Sequence, residues 1–250
     1  MTFFDITLRV RQARDDDGLV LLDVETGRYF TFDPIGAMVW SQIQEGVSAA
    51  GIIRHLKQTF DSADDAIERD VWAILSNLKN RGLIVPRDAA YSPSTMAPAH
   101  TGKNDRAAIE YDEIGPGSST REGFGTSLYW NLICFTALVC MDVLMRFFSF
   151  KRLYKIVSRR CPMAKRYDPN RVRRICRGMD RAAGAYFKRA WCLQRSAACV
   201  YLLRRRGYRA DLVLGVRTFP FEAHAWAELD GKVINDKEGF VRRFLVIDRI

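Results

Sequence analysis

Apolar and polar residues alternate from Ile6 to Val10, and apolar runs return at Val20–Val24 and Tyr29–Phe32, with Asp15-Asp-Asp-Gly18 and Glu25-Thr-Gly27 between them. A period of two broken by turn residues predicts a three-stranded meander. The period then lengthens. Asp33 followed by Pro34 reads as an N-cap and first helical residue, opening a short helix through Trp40 that ends before Gly46. Ser48 caps a second helix with Ile52, Ile53, Leu56 and Phe60 on one face. A third runs from about Ala63 to Asn80 on a stripe of Ile67, Val71, Ile74, Leu75 and Leu78, and Gly82 stops it at C′.

Residues 88–125 hold Ser, Pro, Gly, Thr and scattered charge without apolar periodicity, and read as a linker. Leu128 to Met145 is apolar and about long enough to cross a membrane, but Asn131 and Asp142 interrupt it and no second span follows. A helix packed on protein is the expectation. Cys192 to Arg206 has helical apolar spacing with basic residues in its last turn and Gly207 beyond. Strands are expected at Ala210–Val216, Ala223–Leu229 and Lys232–Asn235, with Phe219-Pro220 and Asp230-Gly231 as breaks.

A length of 250 residues at 48% hydrophobic composition can bury one large core or two modest ones, and two domains are the expectation. The opening residues mix charge with apolar side chains instead of forming a signal peptide, so a cytoplasmic protein without a transmembrane span is expected. Six cysteines (134, 140, 161, 176, 192 and 199) include no C-x-x-C pair, and the three histidines (55, 100 and 224) lie far from any two of them. Reduced thiols and no bound metal follow. The net charge of +10 is uneven: residues 1–90 hold 10 Lys/Arg against 14 Asp/Glu, leaving the excess to the second half. The basic stretch 146–181 reads as a solvated helical face or a surface for an acidic partner.

A cysteine attacks as its thiolate, so a catalytic one needs a histidine to take its proton and gains from a helix N-terminus. Cys192 opens a helix, and His224 lies on the middle strand of the three that follow. A two-residue loop at Asp230-Gly231 would set His224 opposite Lys237 and turn Asp236 to the other face. A three-residue loop, Leu229-Asp230-Gly231, instead pairs 228 with 232, 226 with 234 and 224 with 236. The second register is the expectation, because it also sets Glu228 against Lys232 and Trp226 against Ile234. Asp236 then orients His224, which takes the proton of Cys192. Backbone N–H groups near Cys192 are the expected oxyanion donors, with Gln194 a further candidate. Arg195 and Arg217 either hold substrate or brace the fold. Cys134, Cys140, Cys161, Cys176 and Cys199 are expected in the core, His55 on a partly exposed helix side and His100 in the linker.

The ordered motifs Trp191-Cys-Leu-Gln-Arg-Ser196, Leu202-Leu-Arg-Arg-Arg-Gly207, Gly215-Val-Arg217, Pro220-Phe221, Ala223-His-Ala-Trp226 and Val233-Ile-Asn-Asp236 make residues 125–250 resemble the lasso peptide biosynthesis B proteins, transglutaminase-like cysteine proteases. The resemblance implies a papain-like/transglutaminase-like core with Cys192, His224 and Asp236 as catalytic residues. Leu22-Asp23, Gly27-Arg-Tyr29, Gly36, Val39-Trp40, Gly46, Ile53, Leu56, Asp70, Leu75, Leu78 and Gly82-Leu83 resemble a PqqD-type recognition element. Such elements are winged-helix domains that take up a leader peptide as an added strand. Here that implies Arg28, Tyr29, Phe30 and Thr31 as the docking strand, with Val71, Ile74 and Leu75 lining the groove or facing only the core.

The implied protein is α+β, with a winged-helix PqqD-like recognition element at 1–88, a linker at 89–125 and a transglutaminase-like cysteine peptidase domain at 126–250. The resemblance implies leader removal from a ribosomally made precursor, an ATP-dependent macrolactam-forming cyclase as partner, and no metal or covalent cofactor; ATP dependence of the cleavage is left open. Amide transfer on the same triad is the first alternative. A winged-helix regulator binding nucleic acid is the second, and the net acidic charge of residues 1–90 opposes it.

Overall fold

The side chains of Asp33 and Ser48 accept hydrogen bonds from the N–H groups of Gly36 and Gly51, so the first two helices begin where their sequence caps lie. The computed structural model describes residues 2–60, 65–87, 124–159, 168–186 and 192–250. His100, Cys161 and nearly all of the expected linker lie outside these residues. The chain divides into two compact units.

The first unit contains β1 (Phe4–Ile6), β2 (Val10–Asp15), β3 (Gly18–Asp23), β4 (Arg28–Phe32), α1 (Pro34–Gln44), α2 (Ala49–Thr59), α3 (Asp65–Asn80) and β5 (Ile84–Pro86). The antiparallel order β2-β3-β4 is the expected meander, but its first strand is Val10–Asp15 rather than Ile6–Val10. The residues before it form β1, which pairs with β5 instead. The alternation at Ile6–Val10 spans two strands, and the turn between them hides in it: the Val10 N–H bonds the Thr7 carbonyl. Leu19 and Leu21 of β3 meet Val39, Trp40, Ile52, Leu56, Val71, Leu75 and Leu78 of the three helices in one core. Gly82 ends α3 at φ +66°, where a side chain is disfavoured.

The second unit contains α4 (Phe124–Phe147), α5 (Phe150–Val157), α6 (Pro169–Ala185), α7 (Cys192–Arg205), β6 (Ala210–Arg217), β7 (Glu222–Leu229), β8 (Lys232–Val233), α8 (Glu238–Val241) and β9 (Leu245–Arg249). Its antiparallel sheet has the order β8-β7-β6-β9, and α7 packs against β6 and β7. Trp130, Cys134, Ala137, Leu138 and Met141 bury one side of α4, while Leu128, Leu132, Val143 and Phe147 stay exposed. The expected packed helix is therefore packed along one side, and Leu128–Phe147 is long and apolar enough to cross a membrane by length and composition. Cys140 lies exposed on α4, against the expectation of a core cysteine, because the helix turns that position away from α6 and α7. Arg204, in the last turn of α7, donates to the carbonyls of Ala210, Val157 and Ile250 and pairs with Asp211, so one guanidinium joins helix and sheet.

The register of the β7-β8 hairpin differs from the expected one. Leu229 pairs with Lys232 and Glu228 with Val233, across a two-residue turn in which Asp230 has φ 50° and Gly231 φ 83°. Positive φ at both positions is the type I′ geometry that matches strand twist. Glu228 does not face Lys232; it accepts from Trp226 Nε1 at 2.8 Å and pairs with Arg249. The longer loop requires the last strand to continue to Asp236, whereas β8 stops at Val233.

Gly215 lies opposite His224 in the β6-β7 ladder, and a Cβ there would come within 2.6–2.9 Å of Trp226 and Phe244. The Gly215→Ala variant is expected to lose about 1–3 kcal/mol by overpacking. Urea titration with hydrogen exchange on β6 and β7 measures this, and a loss below ~0.5 kcal/mol would mean that the rings yield freely.

Candidate active site

Cys192 is the first residue of α7 and is half-buried, so its sulfur sits where the first turn leaves backbone N–H groups unpaired. His224 comes from β7 and Asp236 from the turn after β8. His224 Nε2 lies 2.7 Å from Asp236 Oδ2, and both side chains are largely shielded, at 13% and 14% exposure. With Nε2–H donating to the carboxylate, Nδ1 remains to receive the thiol proton. Cys192 and His224 hydrogen-bond one another.

The two ionisations are displaced toward each other. Burial by itself pushes the Cys192 thiol up, but the bond and charge of His224, with backbone N–H groups of Ala225 and Leu193, bring it below the ordinary thiol value. Burial likewise pushes His224 down, and its bonds to Cys192 and Asp236 overcome this and raise it. Each displacement favours the charged form of its group, thiolate for Cys192 and imidazolium for His224. Aromatic rings enclose the imidazole: Phe240 meets it edge-on at 5.1 Å, Phe244 is tilted at 5.3 Å and Trp226 stacks at 6.2 Å. They help to shield the ring from solvent.

Asp236 reaches His224 because the ladder is ended deliberately. The Ile234 N–H bonds the Ala227 carbonyl at 3.0 Å, but the returning bond from the Ala227 N–H goes to the side chain of Asn235, at 2.7 Å. In a continuing ladder the Ile234 carbonyl would accept it. Asn235 Nδ2 donates to Ser196 Oγ at 2.8 Å, and Ser196 donates to the Ala225 carbonyl at 2.9 Å. This buried chain ties α7, β7 and the turn together and swings Asp236 to the face of His224. Ser196 and Asn235 stood in the sequence motifs without a role; adjacency to Cys192 and Asp236 was the available signal. Phe240 and Phe244 were not singled out, because a four-residue helix carries too little periodicity.

The remaining candidates separate. Gln194 is buried, and its amide donates to Asp142 at 3.5 Å. Arg217 pairs with Glu222 at 2.9 Å across the end of the β6-β7 hairpin. Arg195 reaches the Asp236 turn. Cys134, Cys176 and Cys199 are buried, and burial pushes the Cys134 thiol up to about 12. In the first unit, β4 is an edge of its sheet, with Arg28 and Thr31 exposed and Tyr29 and Phe30 partly so. Val71 and Leu75 are 2% and 1% exposed and belong to the core, since the α3 stripe is spent on α2 and β5; Ile74 is partly buried against that core. The outer side of α3 instead carries an open groove lined by Asp65, Glu68, Arg69, Trp72, Ala73 and Ser76. It holds no cysteine or histidine, so the chemistry stays with Cys192.

Residues 136–249 match the transglutaminase-like superfamily, and residues 18–84 match coenzyme PQQ synthesis protein D (PqqD). The second unit is thus a transglutaminase-like, protease-fold domain and the first a PqqD-like domain. The chain is similar to microcin J25-processing protein McjB of Escherichia coli, 44% identical over 59 residues, a match covering 24% of this chain and 28% of that protein. It is also similar to two solved structures. TbiB1 in complex with the TbiA(beta) leader peptide is 30% identical with a TM-score of 0.31, covering 36% of this chain and 99% of that one. Lasso peptide synthetase B1 complexed with the leader peptide is 28% identical, also at 0.31, covering 33% and 98%.

His224→Ala removes the strongest influence holding the Cys192 thiol down and leaves burial to dominate. Iodoacetamide alkylation of Cys192, followed by peptide mass spectrometry, is expected to slow at least ~10-fold at neutral pH and to titrate at higher pH. An unchanged profile would separate the histidine from the thiol.

Proposed function

We propose that this chain is the leader peptidase of lasso peptide biosynthesis, a cysteine peptidase that holds a precursor by its leader and cuts the amide bond between leader and core. The observation that carries this reading is the single hydrogen-bonded line from Cys192 through His224 to Asp236, with the sulfur at a helix start. The PqqD-like region supports the binding half, as do the leader peptides named in the two similar structures.

The Cys192 thiolate attacks the scissile carbonyl carbon, and backbone N–H groups at the start of α7 receive the developing oxyanion. Gln194, turned to Asp142, is not needed for that task. The tetrahedral adduct collapses as His224 gives its proton to the departing amine, which leaves with the core and a thioester on the leader. His224, now neutral, takes a proton from water; the resulting hydroxide attacks the thioester, and Cys192 leaves as the thiolate. Asp236 keeps the ring in one tautomer and stabilises its cationic form. Three side chains and backbone dipoles supply this chemistry without a metal.

Leader capture falls to the first unit: β4, an edge strand of its sheet, accepts an added strand along Arg28 to Thr31, and Ile74 and Trp72 offer apolar contact on α3. Carrying both units on one chain raises the concentration of the scissile bond around Cys192. The macrolactam-forming cyclase would take up the amine released with the core.

Incubating the purified protein with the precursor encoded beside its gene, followed by mass spectrometry, tests the reading. Wild type is expected to yield two fragments whose masses sum to precursor plus water, while Cys192→Ala binds the precursor and leaves it whole. Cleavage by both proteins would remove Cys192 from the mechanism, and an adduct heavier than the precursor would indicate amide transfer.

A further inference from the structure

Asp236 has a second cation besides His224. Arg195 lies one helical turn beyond Cys192 on α7, and its Nη2 donates to the carbonyl of Asn235 at 2.9 Å and stands 3.6 Å from Asp236 Oδ2. That is the same carboxylate oxygen that meets His224 Nε2 at 2.7 Å. On its other side Arg195 Nη1 lies 3.7 Å from Asp180 Oδ1, on α6. Asp180, Arg195, Asp236, His224 and Cys192 thus form a line of alternating charge drawn from α6, α7, the turn after β8, and β7. The guanidinium fits the position because it can hold a carbonyl and a carboxylate together.

We infer that Arg195 is a positioning residue for the triad, holding the Asp236 carboxylate on His224 and setting by its charge how readily Cys192 and His224 form the thiolate–imidazolium pair. The inference rests on the peptidase reading for its kinetic consequence, but its electrostatic consequence is carried by the thiol alone. A cation 3.6 Å from the carboxylate offsets part of its pull on the imidazolium and favours the thiolate. Asp180 moderates that cation. Other groups bordering the site are accounted for: the Lys237 N–H bonds Asp236 Oδ1, exposed Glu238 pairs with Arg242, Asp142 of α4 is engaged with Tyr186 and Gln194, and the rings of Trp226, Phe240 and Phe244 are neutral.

Arg195→Gln, Arg195→Lys and Asp180→Asn are compared with wild type by the pH profile of Cys192 alkylation, by kcat and KM for precursor cleavage, and by urea stability. Arg195→Gln is expected to shift the alkylation profile to higher pH by about half a unit or more, roughly threefold in thiolate fraction. It is also expected to lower kcat ~10-fold or more, with KM within about twofold. Arg195→Lys restores the profile, and recovers kcat in part. Asp180→Asn, which keeps Arg195 and removes its counter-charge, shifts the profile to lower pH, and this opposite sign keeps the test open should Arg195→Gln fold poorly. A profile that stays put in Arg195→Gln and Asp180→Asn, whatever happens to stability, would overturn the inference and leave Arg195 a brace. If wild type alkylates at low pH but never cleaves precursor, the peptidase reading fails while the alkylation shifts still decide the role of Arg195.

Discussion

One amide side chain decides whether this fold has a triad. In the register that β7 and β8 adopt, a continuing ladder would set Asp236 opposite Ala225 and point its carboxylate away from His224. Asn235 prevents this by taking the Ala227 N–H that the next backbone carbonyl would have received. The Ala227 N–H thus keeps a partner where the ladder ends. The freed chain turns at Asn235–Asp236 and enters α8, which brings Phe240 and Phe244 against the imidazole. Ser196 anchors the other end of the same amide to α7, so the elements that carry Cys192, His224 and Asp236 share one buried polar network. Such a network is rigid because each member has its partner, and losing one would strand the others.

The geometry explains how a half-buried thiol can be reactive. Burial raises a thiol and lowers an imidazole, which keeps both neutral and inert. The cost is overcome only if each charged form finds the other at short range and finds fixed dipoles besides. The start of α7 supplies dipoles to the sulfur, and Asp236 supplies a charge to the ring. Cys134 and Cys199 are the contrast within the same unit: burial pushes the Cys134 thiol up, and a hydrogen bond with Cys176 together with burial pushes Cys199 up.

Much of this was legible in the residues. Asp33-Pro34, Ser48 and Gly82 placed the helix ends because caps are local chemistry, and Cys192, His224 and Asp236, singled out together in the sequence, are brought together in the structure. Two failures have a common cause. The split of β1 from β2 and the early end of β8 both depend on where a ladder stops, and that is fixed by side chains such as Asn235 whose partners lie on another element. The longer hairpin loop was preferred because it aligned three side-chain pairs; the correct contact between His224 and Asp236 was inferred through an incorrect register. Val71 and Leu75 were ambiguous for a related reason, since a helical stripe announces burial without saying whether neighbour or ligand provides it.

The charge on the two units fits a division of labour that neither could perform alone. An edge strand binds an incoming chain through backbone groups, which read little sequence, so specificity has to come from side-chain contacts beside it. The first unit has the edge strand β4 and the exposed side of α3, with Trp72 and the charged Asp65, Glu68 and Arg69, but it offers no cysteine or histidine there. The second unit has a nucleophile whose reactivity is set by its own neighbours and needs nothing from the leader to be formed. On the proposed reading, cleavage at Cys192 favours a chain already held elsewhere on the same molecule, so that an activated thiol spares other peptides.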